Sequence, residues 1–193
     1  MTAADRKRAA VLAGHNADEA TARPLLGDES GAVRAAARRA LRRMDALSVE
    51  DVSAALADPD ATARAAACVL TVDVADVDVA PLLDDTEPRV VEAAAWALGE
   101  RGEVSAVPRL SAVARSHDDS LCREAAVAAL GAIGDESGLA AILAAMGDRA
   151  TVRRRAVLAL APFSGPEVEA ALERAATDRD WQVRQAAEDL VTD

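Results

Sequence analysis

The chain has 193 residues, 51% of them hydrophobic, yet that half is mostly Ala, Val and Leu, with one Phe, two Trp and no Tyr. So few aromatics argue against a β-sandwich or barrel and for closely packed helices, in which Ala costs no side-chain entropy. A formal net charge of −11 repels phosphate backbones, and no apolar run approaches the ~20 residues of a membrane span, so neither nucleic acid nor membrane is an expected partner.

In chain order, the opening MTAADRKRAAVLAG has charges but only a short apolar run, which is not a signal-peptide core. Within it, DRKRAAVLA from Asp5 is a weak copy of a nine-residue pattern that then recurs. The pattern reads VRAAARRAL from Val33, ARAAACVLT from Ala63, VVEAAAWAL from Val90, CREAAVAAL from Cys122, VRRRAVLAL from Val152 and VRQAAEDLV from Val183. The first spacing is 28 residues, and the later ones are 30, 27, 32, 30 and 31. Positions 1, 4, 5, 8 and 9 are apolar in most copies, which is one face of an α-helix. Upstream of the copies lie shorter apolar segments at 21–26, 49–57, 104–114, 139–146 and 168–176, which read as first helices. Acidic turns join the two helices: GDESG, ADPDA, DDTEP, SHDDS, GDRAT and TDRDW. Their Asp and Ser are natural N-caps, and Gly99, Gly131 and Gly134 are expected to end helices in the left-handed conformation. The segment 71–83, TVDVADVDVAPLL, alternates like a strand but is expected to be a short irregular helix because its neighbours demand one. The expected organisation is one all-α domain over residues 1–193. An N-terminal capping repeat spans 1–16, and six repeats follow at about 17–46, 47–72, 73–102, 103–134, 135–164 and 165–193.

A period near 30, an Asp in the turn, Val-Arg opening the second helix and an Ala-rich run ending in Leu-Gly together resemble the HEAT-repeat family. The likeness is to the short HEAT-like repeats first associated with phycobilisome lyases, and it covers essentially the whole chain. A Pro inside the first helix, at Pro24, Pro81 and Pro108, adds to it. The resemblance implies a right-handed α-solenoid of about six helical hairpins, with first helices on the convex side and second helices lining the concave side. It carries little about function, because such repeats serve as scaffolds, chromophore lyases, hydroxylases and DNA glycosylases.

Turn Asp and second-helix Arg recur together as Asp28 with Arg34, Asp58 with Arg64, Asp118 with Arg123, Asp148 with Arg153 and Asp178 with Arg184. They are expected to form a structural inter-repeat ladder of solvent-exposed pairs rather than a row of anion sites. Position 6 lies about 140° from position 1 on an ideal helix, so it is expected to face solvent on the concave side. With position 7 and two carboxylates it gives a candidate partner surface of Val69, Glu92, Ala95, Trp96, Glu124, Val127, Val157 and Leu158. Trp96 is either an anchor for a partner's peptide or helix, or packing against the next repeat. Trp181 is expected to cover the C-terminal end of the core.

Enzymatic readings fare worse. HEAT-like deoxyhypusine hydroxylases hold two irons with repeated His-Glu pairs, whereas here His15 precedes Asn16 and His117 precedes Asp118. The cysteines, Cys68 and Cys122, have no metal-ligand spacing and suit a reducing compartment. The basic clusters at Arg38, Arg39, Arg42 and Arg43 and at 153–155 are too far apart to form a phosphate track. No catalytic, cofactor-binding or metal-binding residue is expected. The expected function is a cytoplasmic, non-enzymatic protein-binding scaffold, with a lyase-like protein or an accessory enzyme subunit as the alternative. Lys7 is the single lysine against 21 Arg, and 20 Asp stand against 13 Glu. That balance fits either a halophilic surface or a high-GC genome.

Overall fold

The computed structural model describes residues 1–74 and 77–192, and among them it is all-helical, with twelve α-helices and no strand. The chain divides within one helix into two compact units, Met1–Ala94 and Ala95–Asp193.

In the first unit, α1 (Ala3–Asn16) leads to α2 (Glu19–Ala22), which tightens into a 3-10 turn at Arg23–Gly27. Then come α3 (Gly31–Arg43), α4 (Val49–Leu56) and α5 (Ala61–Leu70), followed by 3-10 turns at Thr71–Asp73 and Ala80–Asp84 and the start of α6 (Pro88–Glu100). The second unit takes the rest of α6, then α7 (Val107–Ser116), α8 (Ser120–Ile133), α9 (Leu139–Ala145), α10 (Ala150–Ala159), α11 (Pro166–Ala175) and α12 (Trp181–Thr192). The nine-residue copies are the second helices α1, α3, α5, α6, α8, α10 and α12. First helices are short because Pro24 and Pro81 sit in their 3-10 segments, while Pro108 starts α7, where its missing N–H costs nothing.

Second helices stack side by side, with α3 between α1 and α5 in the first unit and α10 between α8 and α12 in the second. First helices pack behind them, as α4 does on α5 and α7 on α8. The acidic turns start the second helices: Asp60 accepts from the Thr62 N–H at 2.7 Å, and Asp119 from the Leu121 N–H at 2.8 Å. The core is Val33, Leu41 and Val52 in the first unit and Leu98, Leu110, Leu130 and Ile142 in the second, all fully buried.

Two expectations about local structure are corrected. Of the three glycines expected to do so, Gly134 alone ends a helix in the left-handed conformation, at φ 68°; Gly99 and Gly131 lie inside α6 and α8. Their function is close approach. A Cβ on Gly131 would stand 2.6 Å from the Ala159 backbone of α10, and one on Gly99 would stand 2.8 Å from Ala129 of α8. The segment 71–83 is helical only as 3-10 turns, at Thr71–Asp73 and from Ala80, with no helix at Val77–Val79 between them; Ala75 and Asp76 lie outside the described residues. Val77 and Val79 are buried and Asp78 is exposed, so the period-two alternation prevails over the helical pattern of neighbouring repeats.

Gly131→Ala should lower stability by ~1–3 kcal/mol in chemical denaturation, because the clash outweighs the better helix propensity of Ala. A gain in stability would mean that α8 and α10 are not in this contact.

Candidate functional site

The turn row is built from one repeated exchange of hydrogen bonds. Each second-helix Arg donates to backbone carbonyls of its own turn and to the carboxylate of the next turn. Arg34 donates from Nη1 to Asp28 O at 2.7 Å and from Nε to Asp58 at 2.8 Å. Arg64 donates to Asp58 O at 2.8 Å and to Asp85 at 2.7 and 2.9 Å. In the second unit Arg123 reaches Asp148 at 2.6 and 2.9 Å, and Arg153 reaches Asp178 at 2.8 and 2.7 Å. Arg184 ends the series on Asp178 O at 2.7 Å. The pairing within one repeat read from the sequence is thus shifted by one repeat for the carboxylates. The ladder also takes in Arg6, on Asp28 at 2.5 Å, and Asp85.

These pairs are not solvent-exposed, because the turns pack on one another. The Asp58 side chain is 2% exposed and is shared by Arg34 and Arg38, the latter at 3.2 Å. Burial pushes its carboxyl up, but the Arg34 guanidinium, the Asp60 amide and Arg38 outweigh this and hold it at about 2. Hydrogen bonds from their arginines likewise hold Asp28, Asp85, Asp148 and Asp178 below the ordinary carboxylate value.

One turn departs from the rest. In α6 the buried Val91 occupies the Arg position, and the following turn carries His117 where the others carry Asp. His117 Nδ1 accepts the Asp119 N–H at 3.0 Å, as Asp58 accepts the Asp60 N–H at 2.9 Å. Asp118, assigned to the ladder from sequence, is exposed, and Arg123 meets it only through its backbone oxygen. His117 and Asp118 line an open recess of about 570 Å³ whose Arg123 and Asp148 are already bound to each other.

Position 6 does not face solvent. Ala95, Val127 and Val157 are fully buried, as is Cys68, and Arg38 is nearly so. The ideal wheel allowed for one buried face, whereas an inner second helix such as α3 or α10 has a second helix on either side as well. Burial pushes the Cys68 thiol up to about 12, which holds it in the protonated form. What faces outward is positions 3 and 7, one turn apart. Val69 is 49% exposed, Trp96 is 43% exposed and Glu92 is exposed, whereas Glu124 and Leu158 are half-buried. Glu124 accepts from Arg155 at 3.4 Å. Trp181 does not cover the core end; it is 64% exposed.

A family model described as HEAT repeats matches residues 49–131 and 77–151, more than half of the chain. The chain belongs to the HEAT-repeat family. No curated protein matches it in sequence. Among solved structures, human deoxyhypusine hydroxylase in complex with glycerol is 19% identical, with 99% of this chain and 79% of that one covered and a TM-score of 0.52. A designed armadillo repeat protein in complex with the peptide (KR)4 is 18% identical, covering 97% and 89%, with a TM-score of 0.54. A second designed armadillo repeat protein is 17% identical, covering 97% and 90%, with a TM-score of 0.51. At these identities the likeness is one of fold alone, and this HEAT-repeat chain shares helical-repeat architecture with an enzyme and with designed repeat proteins, one of them solved with a bound peptide. No helix among the described residues is long and apolar enough to cross a membrane.

Asp58→Asn should cost ~3 kcal/mol, because it leaves two buried guanidinium groups without their carboxylate. The folded carboxyl is depressed, so its stabilisation is complete above ~4, the unfolded value, and is lost as pH falls through about 2. Denaturation curves across that window should fall steeply for the wild type and less steeply for the variant.

Proposed function

We propose that this HEAT-repeat chain is a non-enzymatic interaction module that holds a segment of another protein against the outward row of its second helices. In the second unit that row carries Trp96 on α6, Ala128 on α8 and Leu158 on α10, all at position 7. Gly99 against Ala129 and Gly131 against Ala159 set these helices side by side, so the three side chains form one strip. Trp96 is exposed, and Ala128 and Leu158 are half-buried; a lone exposed apolar residue is ordinary on a protein surface, so the register of three apolar side chains on adjacent helices is what carries this reading. Glu100 and Arg154 are exposed beside the strip, giving it the polar rim of an interface. Helical backbone is hydrogen-bonded within itself, so a partner must be held by side chains, and Trp96 is the largest of those available.

The short period and the Val-Arg opening of the second helix favour the phycobilisome-lyase type of HEAT repeat, as a sequence type rather than an activity. That a designed helical-repeat protein of similar fold was solved with a bound peptide agrees with a binding role. Both cysteines are buried and neither is in a disulfide, which suits a reducing compartment such as the cytoplasm.

Affinity purification with cross-linking should identify a partner, whose dissociation constant is then measured against variants. Trp96→Ala should weaken binding by ~30-fold with little loss of stability, in line with a hot-spot contribution of ~2 kcal/mol, and Leu158→Glu should weaken it at least as much. If both variants bind like the wild type, the strip is not the site. If Trp96→Ala instead loses ~3 kcal/mol of stability, Trp96 is packing. Val127 and Val157 are unsuitable positions for this test because, being buried, they report folding.

A further inference from the structure

The first unit presents the same row with a different chemistry. At positions 3, 7 and 11, α1 offers Lys7, Val11 and His15; α3 offers Arg39 and Arg43 at 7 and 11, its position 3 being the buried Ala35; and α5 offers Ala65 and Val69, with Asp73 in the 3-10 turn that follows it. Gly14 sets α1 directly against α3, where a Cβ would stand 2.8 Å from the Ala40 backbone, and α5 packs on the other side of α3. Lys7, Arg39 and Arg43 are exposed and have no carboxylate partner among the described residues. Arg8, one position off the row, is the same. The adjoining carboxylates Asp45 and Asp73 are both taken up by Arg42, at 3.3 and 2.8 Å. Val11 and Val69, 46% and 49% exposed, lie on the helices either side of Arg39.

A chain of net charge −11 thus keeps uncompensated cations on one small face, next to exposed aliphatic side chains. We propose that this face docks a short acidic segment of a partner protein, with carboxylates meeting Lys7, Arg39 and Arg43 and an aliphatic side chain meeting Val11 or Val69. The proposal rests on the outward row being the partner-binding face, but it uses a different unit and different residues from the Trp96 strip. Size agrees with a short occupant. Positions 3 to 11 span ~12 Å of helix, and neighbouring helices lie ~8–10 Å apart, room for about three or four residues of extended chain. Every aromatic residue, Trp96, Phe163 and Trp181, belongs to the second unit, so no aromatic platform for stacked bases accompanies these arginines.

The test uses the full chain and fluorescence anisotropy with three labelled probes. These are a peptide of about ten residues rich in Glu with two Leu, its counterpart with Lys for Glu, and a single-stranded oligonucleotide of about ten nucleotides. The Glu peptide should bind, lose affinity as salt rises, and exceed both other probes. Arg39→Glu with Arg43→Glu should weaken it at least about tenfold without lowering the melting temperature, since both side chains are exposed. Trp96→Ala should leave it unchanged, so failure here is separable from failure of the Trp96 strip. Absent binding, binding unaffected by the charge reversals, or tighter capture of the oligonucleotide would each overturn the proposal.

Discussion

The fold depends on one guanidinium repeated along the second helices. An Arg at position 2 has five donors in a rigid fork, and it spends them in two directions: on the carbonyls that end its own turn and on the carboxylate that starts the next. Arg64 shows both, bridging Asp58 O and the two oxygens of Asp85. Because the carboxylate contact is bidentate, it fixes the rotation and height of one hairpin on the next, which an Ala-rich interface alone would leave loose. The same turns bury their carboxylates, so removing one partner is costly although the pair as a whole contributes modestly.

Close stacking follows from the small residues that the ladder aligns. Gly14, Gly99 and Gly131 each lie against an Ala backbone of the following second helix, at distances that exclude a side chain. Inner helices so tightly flanked leave a narrow outward strip centred on position 7, and there the side chains differ from repeat to repeat. The two units use it differently. In the first the strip is cationic with valines; in the second it carries Trp96, Ala128 and Leu158 with Glu100 and Arg154 beside them.

Helix number, order and the turns between helices were legible because seven copies of one pattern recur at six spacings near 30 and positions 1, 4, 5, 8 and 9 mark one face. Position 6 was misread because a wheel records the face toward the first helix and not the flanks toward neighbouring repeats. Its composition of Cys68, Ala95, Val127 and Val157 was the available signal. His117 was missed because an Asp stood beside it, although the ladder residue lies six before its Arg in Asp28–Arg34, Asp58–Arg64, His117–Arg123 and Asp178–Arg184. The one-repeat offset of the carboxylates had no signal in spacing, since an Arg reaches the backbone of one Asp and the side chain of the next. In 71–83 the Val/Asp alternation described the local burial correctly, and the repeat argument overrode it.

The central claim is that the Arg–Asp rungs are buried structural couplings rather than surface ornaments. A double-mutant cycle on Arg123 and Asp148, whose side chains are 16% and 20% exposed, measures it most directly. With Arg123→Met, Asp148→Asn and the double variant compared by denaturant unfolding, the account predicts a coupling energy of ~1.5–3 kcal/mol. A coupling below ~0.5 kcal/mol, the range of exposed pairs, would contradict it and leave the Gly–Ala stacking to hold the repeats in register alone.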